Sequence, residues 1–233
     1  MLWEHILCRH TLVTYLEKEV AMLLRIENIF VANSSRKEFF AIVGRHFPIF
    51  SEEYVLIEKA YDTAKNAFRP HFRDDGETRY FEHLRGVALI LMEYLRVRDA
   101  NVIVAALLHD IMEDIEGWNE ERLALEFNKG VAQLVWWVTK PSVDLYHGDK
   151  EARNRAYHQN LGCAPRWAII IKLADRLHNL LTLWAVPEEK QRRKVRETQD
   201  FYLQLAEKEI VLIHEIEAVL VRIQGSFPPV AKV

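Results

Sequence analysis

The apolar positions along the chain recur at helical spacing, and the stretches between breakers are too long for a fold of short strands and turns. Leu12, Leu16, Val20 and Leu23 predict a helix from Thr11 to about Phe30; Asn33-Ser34-Ser35 breaks it before a second short helix that ends near Pro48. Ser51 followed by Glu52 and Glu53 is a helix start, and Ile57, Ala60, Tyr61 and Ala64 carry that helix to a stop near Arg69-Pro70. A polar loop from His71 to Arg79, centred on Asp74-Asp75-Gly76, leads into a helix from about Phe81 to Arg96 that buries Val87, Leu91 and Tyr94. The next, from about Ala100 to Asp114, is apolar on almost every side before His109 and is expected at the centre of the fold. Asn119 caps a helix from Glu120 to Phe127, and Val131, Leu134, Val135 and Val138 mark another that ends by Pro141. Ser142 to Pro165 shows no strong period and reads as a mobile connection. Trp167 to Trp184 is a strong helix. Glu188 to about Arg222 gives one or two more, with Leu212, Ile216, Val219 and Ile223 in register and Gly225 as the stop. The expectation is an all-α helical bundle over residues 51–225, preceded by an N-terminal helical extension at 1–50 and followed by a tail at 226–233.

Composition narrows the function classes. At 233 residues, half of them hydrophobic and 28% charged, the chain is a globular protein with one main core. A formal net charge of −3 provides no field for nucleic acid or an acidic membrane, so any anion site must be a local basic cluster. Two cysteines, Cys8 and Cys163, are too few for a disulfide framework or a thiolate metal cage, which points to the cytoplasm. No run resembles a signal peptide or a membrane span, and the sequence leaves homo-oligomer formation open.

Two segments carry chemistry. Leu107-Leu108-His109-Asp110-Ile111-Met112-Glu113-Asp114 sets ionisable groups into a buried apolar segment, and helical spacing stacks His109 with Glu113 and Asp110 with Asp114. Unpaired burial costs several kcal/mol for each such group, and a divalent cation satisfies imidazole and carboxylate together. Lys172, Asp175, Asn179 and Thr182 share one face of the later helix, opposite Ile170, Leu173, Leu177, Leu181 and Trp184. A solvated stripe explains that face about as well as a lined cavity does. His83 by itself reads as a core or capping histidine rather than a ligand, and its case rests on the other candidates.

The order His83, His109-Asp110, Asp175 resembles the ligand order of the HD superfamily of metal phosphohydrolases. Ala105 to Asp114, Val138-Thr139-Lys140, Ile171 to Asn179 and Thr182-Leu183 resemble the hydrolase domain of the RelA/SpoT family, as do Arg73, Gly76 and Tyr80 and the spacing from Lys190 to Thr198. The likeness spans about Glu53 to Lys208. It departs at Leu84, where the family usually has proline, in a longer Arg73 to His83 loop, and over residues 1–50. Too few residues follow Lys208 for the family's synthetase domain, so the chain is similar to stand-alone alarmone hydrolases.

The resemblance implies removal of pyrophosphate from the 3′ position of (p)ppGpp, a guanine nucleotide, with Mn²⁺ held by His83, His109, Asp110 and Asp175. It also implies that Glu113 and Asp114 orient or deprotonate the attacking water, unless they are merely an acidic helix end. Arg73 is similar in place to an arginine that stacks on guanine, and Asn179 to an asparagine near the base. Lys172, Thr182, Lys190 and Arg193 are further candidates for substrate contact, although Lys190 to Lys194 reads equally as a solvated basic face. Two other readings stay open: phosphatase action on NADPH or another purine nucleotide, and a catalytically silent HD binding module.

Overall fold

The computed structural model describes residues 18–227; Leu12, Leu16 and the tail from residue 228 lie outside them. Helix α1 occupies residues 18–32 and turns Leu23 and Ile26 inward, while Val20, expected on that face, is 56% exposed. Ser35 closes the predicted break as the N-cap of α2 (Arg36–His46), where a reciprocal bond with Glu38 completes a capping box. Ser51 caps α3 (Glu52–Ala67) as expected. The polar loop follows, pinned at its base by antiparallel pairing of Phe72 with Arg79. Asp75 accepts from the Glu77 and Thr78 amides at 2.9 and 2.8 Å, and Gly76 supplies the left-handed residue (φ 74°) that the turn requires.

Helix α4 (Tyr80–Leu89) runs into a π-helical turn at Ile90–Tyr94, then α5 (Ala100–Leu108) begins at the Asp99 cap. Sequence periodicity predicts one helix through Asp114, but the chain breaks at His109-Asp110 and resumes as α6 (Ile111–Asp114). Asp110 has φ −100° and ψ 0°, and its carbonyl accepts the amides of both Glu113 and Asp114, at 3.1 and 3.0 Å. The predicted helical stacking of those four side chains is therefore replaced by a turn that carries them.

Helices α7 (Glu120–Glu126) and α8 (Lys129–Val138) start at Asn119 and Asn128. The segment read as a mobile connection is instead a 3₁₀ turn at Val143–Tyr146 and helix α9 (Lys150–Gly162), capped by Asp149. Helix α10 (Arg166–Leu181) is buried along almost its whole length, polar positions included, and a 3₁₀ turn at Leu183–Ala185 leaves Trp184 76% exposed rather than on the apolar face. The final region holds α11 (Glu188–Glu197), a π turn at Thr198–Tyr202, α12 (Leu203–Glu209) and α13 (Ile213–Ser226), which runs through Gly225. Among the described residues there is no strand, and no helix is long and apolar enough to cross a membrane. The fold is all-α, as expected.

Helices α5 and α10 form the middle of the bundle. Helix α5 packs on α3, α4, α8 and α10; helix α10 packs on α4, α8, α12 and α13. Leu23 and Ile26 of α1, and Phe39, Ile42 and Val43 of α2, join the same apolar core. Helix α1 is also tied to α13 by Glu27 and Arg222 at 2.8 Å.

A charge cluster built on the buried Arg176 locks α10 to α11. Arg176 lies 3.1 Å from Glu197, His158 lies 3.4 Å from the other carboxylate oxygen, and the guanidinium sits 3.8 Å over the Tyr202 ring. Burial pushes the Glu197 carboxyl up, but the nearby His158 ring and the Arg176 and Lys194 charges outweigh it and hold the group well below the usual range. A depressed carboxyl contributes stability that is fully present above its unfolded value, near 4.5, and is lost as pH falls through the folded value. Glu197→Gln should therefore cost about 3 kcal/mol at pH 7, because Arg176 is left buried without its partner. It should also flatten the loss of stability below about pH 5. Urea unfolding of both proteins across that range checks this, and parallel pH profiles would contradict it.

Candidate active site

Three elements converge on one buried point. Helix α4 delivers His83, the break after α5 delivers His109 and Asp110, and α10 delivers Asp175; all four side chains are buried. His83, His109 and Asp175 each present a donor atom within 4.8 Å of the others. The Asp175 carboxylate lies 3.1 Å from His83 Nε2 and 3.7 Å from His109 Nε2, and Asp110 Oδ2 lies 3.0 Å from His109 Nε2 and 3.8 Å from His83 Nε2.

This donor set fits a divalent cation. His109 Nδ1 donates to the Ala106 carbonyl at 2.8 Å, which leaves Nε2 with its lone pair facing the carboxylates, and that buried nitrogen has no hydrogen-bond partner. Burial lowers the His109 imidazole, yet Asp110 and Asp175 reverse this and raise it to about 10. Burial also pushes His83, beside the same carboxylates, down to about 4. The two carboxylates thus demand one positive charge at the point where the imidazoles meet. A dication supplies it and keeps both rings neutral. Asp175 is held well below the carboxylate range because Lys172, at 2.8 Å, and His109 outweigh its burial.

The other candidates take distinct places. Tyr80 donates to Asp110 at 2.8 Å and stacks on Phe68. Arg73 donates to Asn179 at 2.7 Å and to Thr182 at 3.4 Å, and Asn179 in turn donates to Asp175. Arg73, Asn179, Thr182, Lys190 and Lys194 line a cleft that reaches His83. Lys190 is paired across its mouth with Asp74, at 2.8 and 2.9 Å. Burial, then Arg176, holds the Lys194 amine down to about 8. Two predicted contacts fall elsewhere: Lys172 is turned inward to Asp175, and Arg193 is exposed and does not line the cleft. Glu113 is exposed and accepts from the Lys140 amide at 3.2 Å. Asp114 reaches solvent, but partial burial and the carboxylates of Asp110 and Glu113 lift its carboxyl to about 6.

The sequence profile of the HD domain matches residues 60–211, the span that holds every one of these groups. The chain belongs to the HD-domain family. Its resemblance to RelA/SpoT enzymes is borne out as well. The guanosine-3′,5′-bis(diphosphate) 3′-pyrophosphohydrolase of Aquifex aeolicus is 37% identical over 163 residues, covering 70% of this chain and 22% of the relative. The bifunctional (p)ppGpp synthase/hydrolase SpoT of Escherichia coli is 36% identical over 166 residues, 70% of this chain and 23% of the relative. The chain spans about a fifth of the length of these relatives. A solved structure described as a metazoan ortholog of SpoT that hydrolyzes ppGpp superimposes with a TM-score of 0.64 at 26% identity, over 74% of this chain and 96% of that one.

Sequence reasoning about this HD domain overlooked two groups. Tyr80 was read only as a loop residue, yet it holds Asp110; its nearness to a histidine three residues on was the available signal. His178 has no polar partner in the sequence pattern, yet its Nδ1 lies 3.0 Å from His83 Nδ1. Its position three residues after Asp175, hence beside it on α10, could have drawn attention.

Proposed function

We propose that this HD domain hydrolyses guanosine 3′,5′-bis(diphosphate) and its 5′-triphosphate analogue at the 3′ position, with Mn²⁺ as the metal. Water adds to the 3′-bound phosphorus, the bond from that phosphorus to the 3′ oxygen breaks, and the oxygen leaves as a hydroxyl once protonated. The products are pyrophosphate and GDP or GTP. The observation that carries this reading is the junction of a buried imidazole–carboxylate cluster with a cleft bearing Arg73, Lys190 and Lys194. The names of the relatives supply the substrate.

His83, His109, Asp110 and Asp175 would hold the cation, which when bound supplies Lewis-acid polarisation of the phosphoryl group and acidification of water. Asp114, lifted to about 6, is basic enough near neutral pH to take a proton from water, and Glu113 beside it orients that water. Arg73, anchored by Asn179 and Thr182, offers a guanidinium face for the guanine; Lys190 and Lys194 meet phosphate oxygens. Lys172 acts from behind, by neutralising Asp175.

Arg73→Ala should raise KM for ppGpp by about tenfold or more and change kcat less, because a stacking contact is made in ground and transition states alike. Steady-state kinetics checks this, and an equal fall in kcat would assign Arg73 to the chemistry instead. The decisive experiment for the function incubates Mn²⁺-loaded protein with ppGpp, NADPH or a nucleoside triphosphate and separates the products by chromatography. Pyrophosphate and GDP from ppGpp alone support the proposal. Turnover of NADPH in preference to ppGpp, or bound metal without turnover of any of the three, overturns it.

A further inference from the structure

At the Nδ1 edge of His83, while its Nε2 faces Asp175, begins a row of three rings. His83 Nδ1 is 3.0 Å from His178 Nδ1, and the His178 ring is 4.9 Å from Phe30 of α1, inclined at 55°. His83 and His178 are both buried, at 1% and 7% exposure, and they meet at the inner end of the cleft that Arg73 and Asn179 line. The space for it is built into α4. A Cβ at Gly86 would lie 2.2 Å from His178 Nε2 and 2.3 Å from its Cδ2, so only a glycine lets the imidazole of α10 lie against α4 at this point.

Two unprotonated nitrogens cannot bond each other, so one of the facing Nδ1 atoms carries a proton. When His83 Nε2 is a metal ligand, that proton must be on His83 Nδ1, and His178 Nδ1 is the acceptor. Phe30 packs against the His178 ring. Helix α1 is itself held in place by Leu23 and Ile26 in the core and by the Glu27–Arg222 pair.

We propose that His178 is a positioning residue that fixes the tautomer and orientation of His83, and that Phe30 holds His178 against Gly86, making helix α1 a working support of the metal centre. The proposal rests on the metal reading of the site and not on the choice of nucleotide. The N-terminal helix, which the sequence separates from the hydrolase region, is in this view part of what sets metal affinity.

The test is Mn²⁺ titration calorimetry on the full chain and four variants, below the unfolding temperature of each. His178→Leu removes the acceptor and should weaken Mn²⁺ binding about 10- to 100-fold, the usual effect of losing such a partner. His178→Asn, whose side-chain oxygen stands near the place of Nδ1, should restore affinity to within about threefold. Phe30→Ala should weaken binding by about tenfold, and Phe30→Leu, which keeps the bulk, should not. A second readout is independent of affinity: in the Zn²⁺-loaded, diamagnetic protein, imidazole ¹⁵N spectra should show His83 protonated at Nδ1, with that proton broadened or lost in His178→Leu. Affinity of His178→Leu within twofold of the parent, or His178→Asn as weak as His178→Leu, overturns the role of His178. Parental affinity in Phe30→Ala overturns the role of α1. A parent chain that binds no divalent metal overturns the relay together with the metal reading, whereas normal metal binding without ppGpp turnover overturns only the proposed substrate.

Discussion

Asp175→Ala is expected to leave the purified chain without divalent metal and without measurable hydrolysis. Asp175 reaches both imidazoles, at 3.1 Å from His83 and 3.7 Å from His109, and its removal takes away a negative charge as well as a donor atom. The same carboxylate neutralises Lys172, which is buried at 6% exposure and 2.8 Å away, so the substitution also strands a buried ammonium, at a cost of about 3–5 kcal/mol. The two effects separate in a double variant. Asp175→Ala combined with Lys172→Met should recover most of the stability while metal content, measured by elemental analysis, stays near zero. Stoichiometric metal in the double variant would remove Asp175 from the ligand set.

The second large effect is expected at the acidic pair. Glu113→Gln and Asp114→Asn keep size and hydrogen-bonding capacity but remove basicity, and each should lower kcat by about 10² or more. Metal content should be unchanged, since both side chains are exposed while the four that would hold the cation are buried. Asp114→Asn should be the more severe, because the Asp114 carboxyl is the one lifted toward neutrality, while the Glu113 carboxylate is already engaged by the Lys140 amide. Measuring kcat, substrate affinity and metal on one preparation of each decides the matter; near-parental kcat in both would leave the proton transfer to neither side chain.

Helices α3 and α5 were legible because their apolar residues repeat strongly and their starts carry Ser and Asp caps, whereas α10, which no side chain caps, was legible from its apolar face alone. Helix α9 was not, since it buries only Tyr157 and Leu161 and is polar nearly all round; its stability comes from the Asp149 cap and its neighbours rather than from a stripe. The interruption at His109-Asp110 was equally invisible: apolar residues flank it on both sides, and a turn of two residues leaves no mark on periodicity. Both π turns extend helices by a local widening that a 3.6-residue pattern cannot register. Within the site, the groups that converge were readable through motif order, as His83, His109 and Asp175 show. The direction of the basic residues was not. Lys172 and Arg193 differ from Lys190 and Lys194 only in which way a helix face turns, and that is set by packing. His178 and Phe30 escaped because a histidine and a phenylalanine amid apolar neighbours look like ordinary core.

The Lys190–Asp74 pair at the cleft mouth has a consequence for selectivity by valence. Asp74 is tethered to the wall opposite Lys190, so its carboxylate competes for the ammonium at a high effective concentration that no dilution removes. A monoanion that displaces it exchanges one ionic contact for another and gains little. A polyphosphate can bring a second charge to Lys194 at the same time and so recovers what it spends in opening the latch. If Lys190 and Lys194 meet phosphate oxygens as proposed, the latch sets a threshold on ligand charge, and because both partners are partly exposed, raising the salt concentration should lower that threshold.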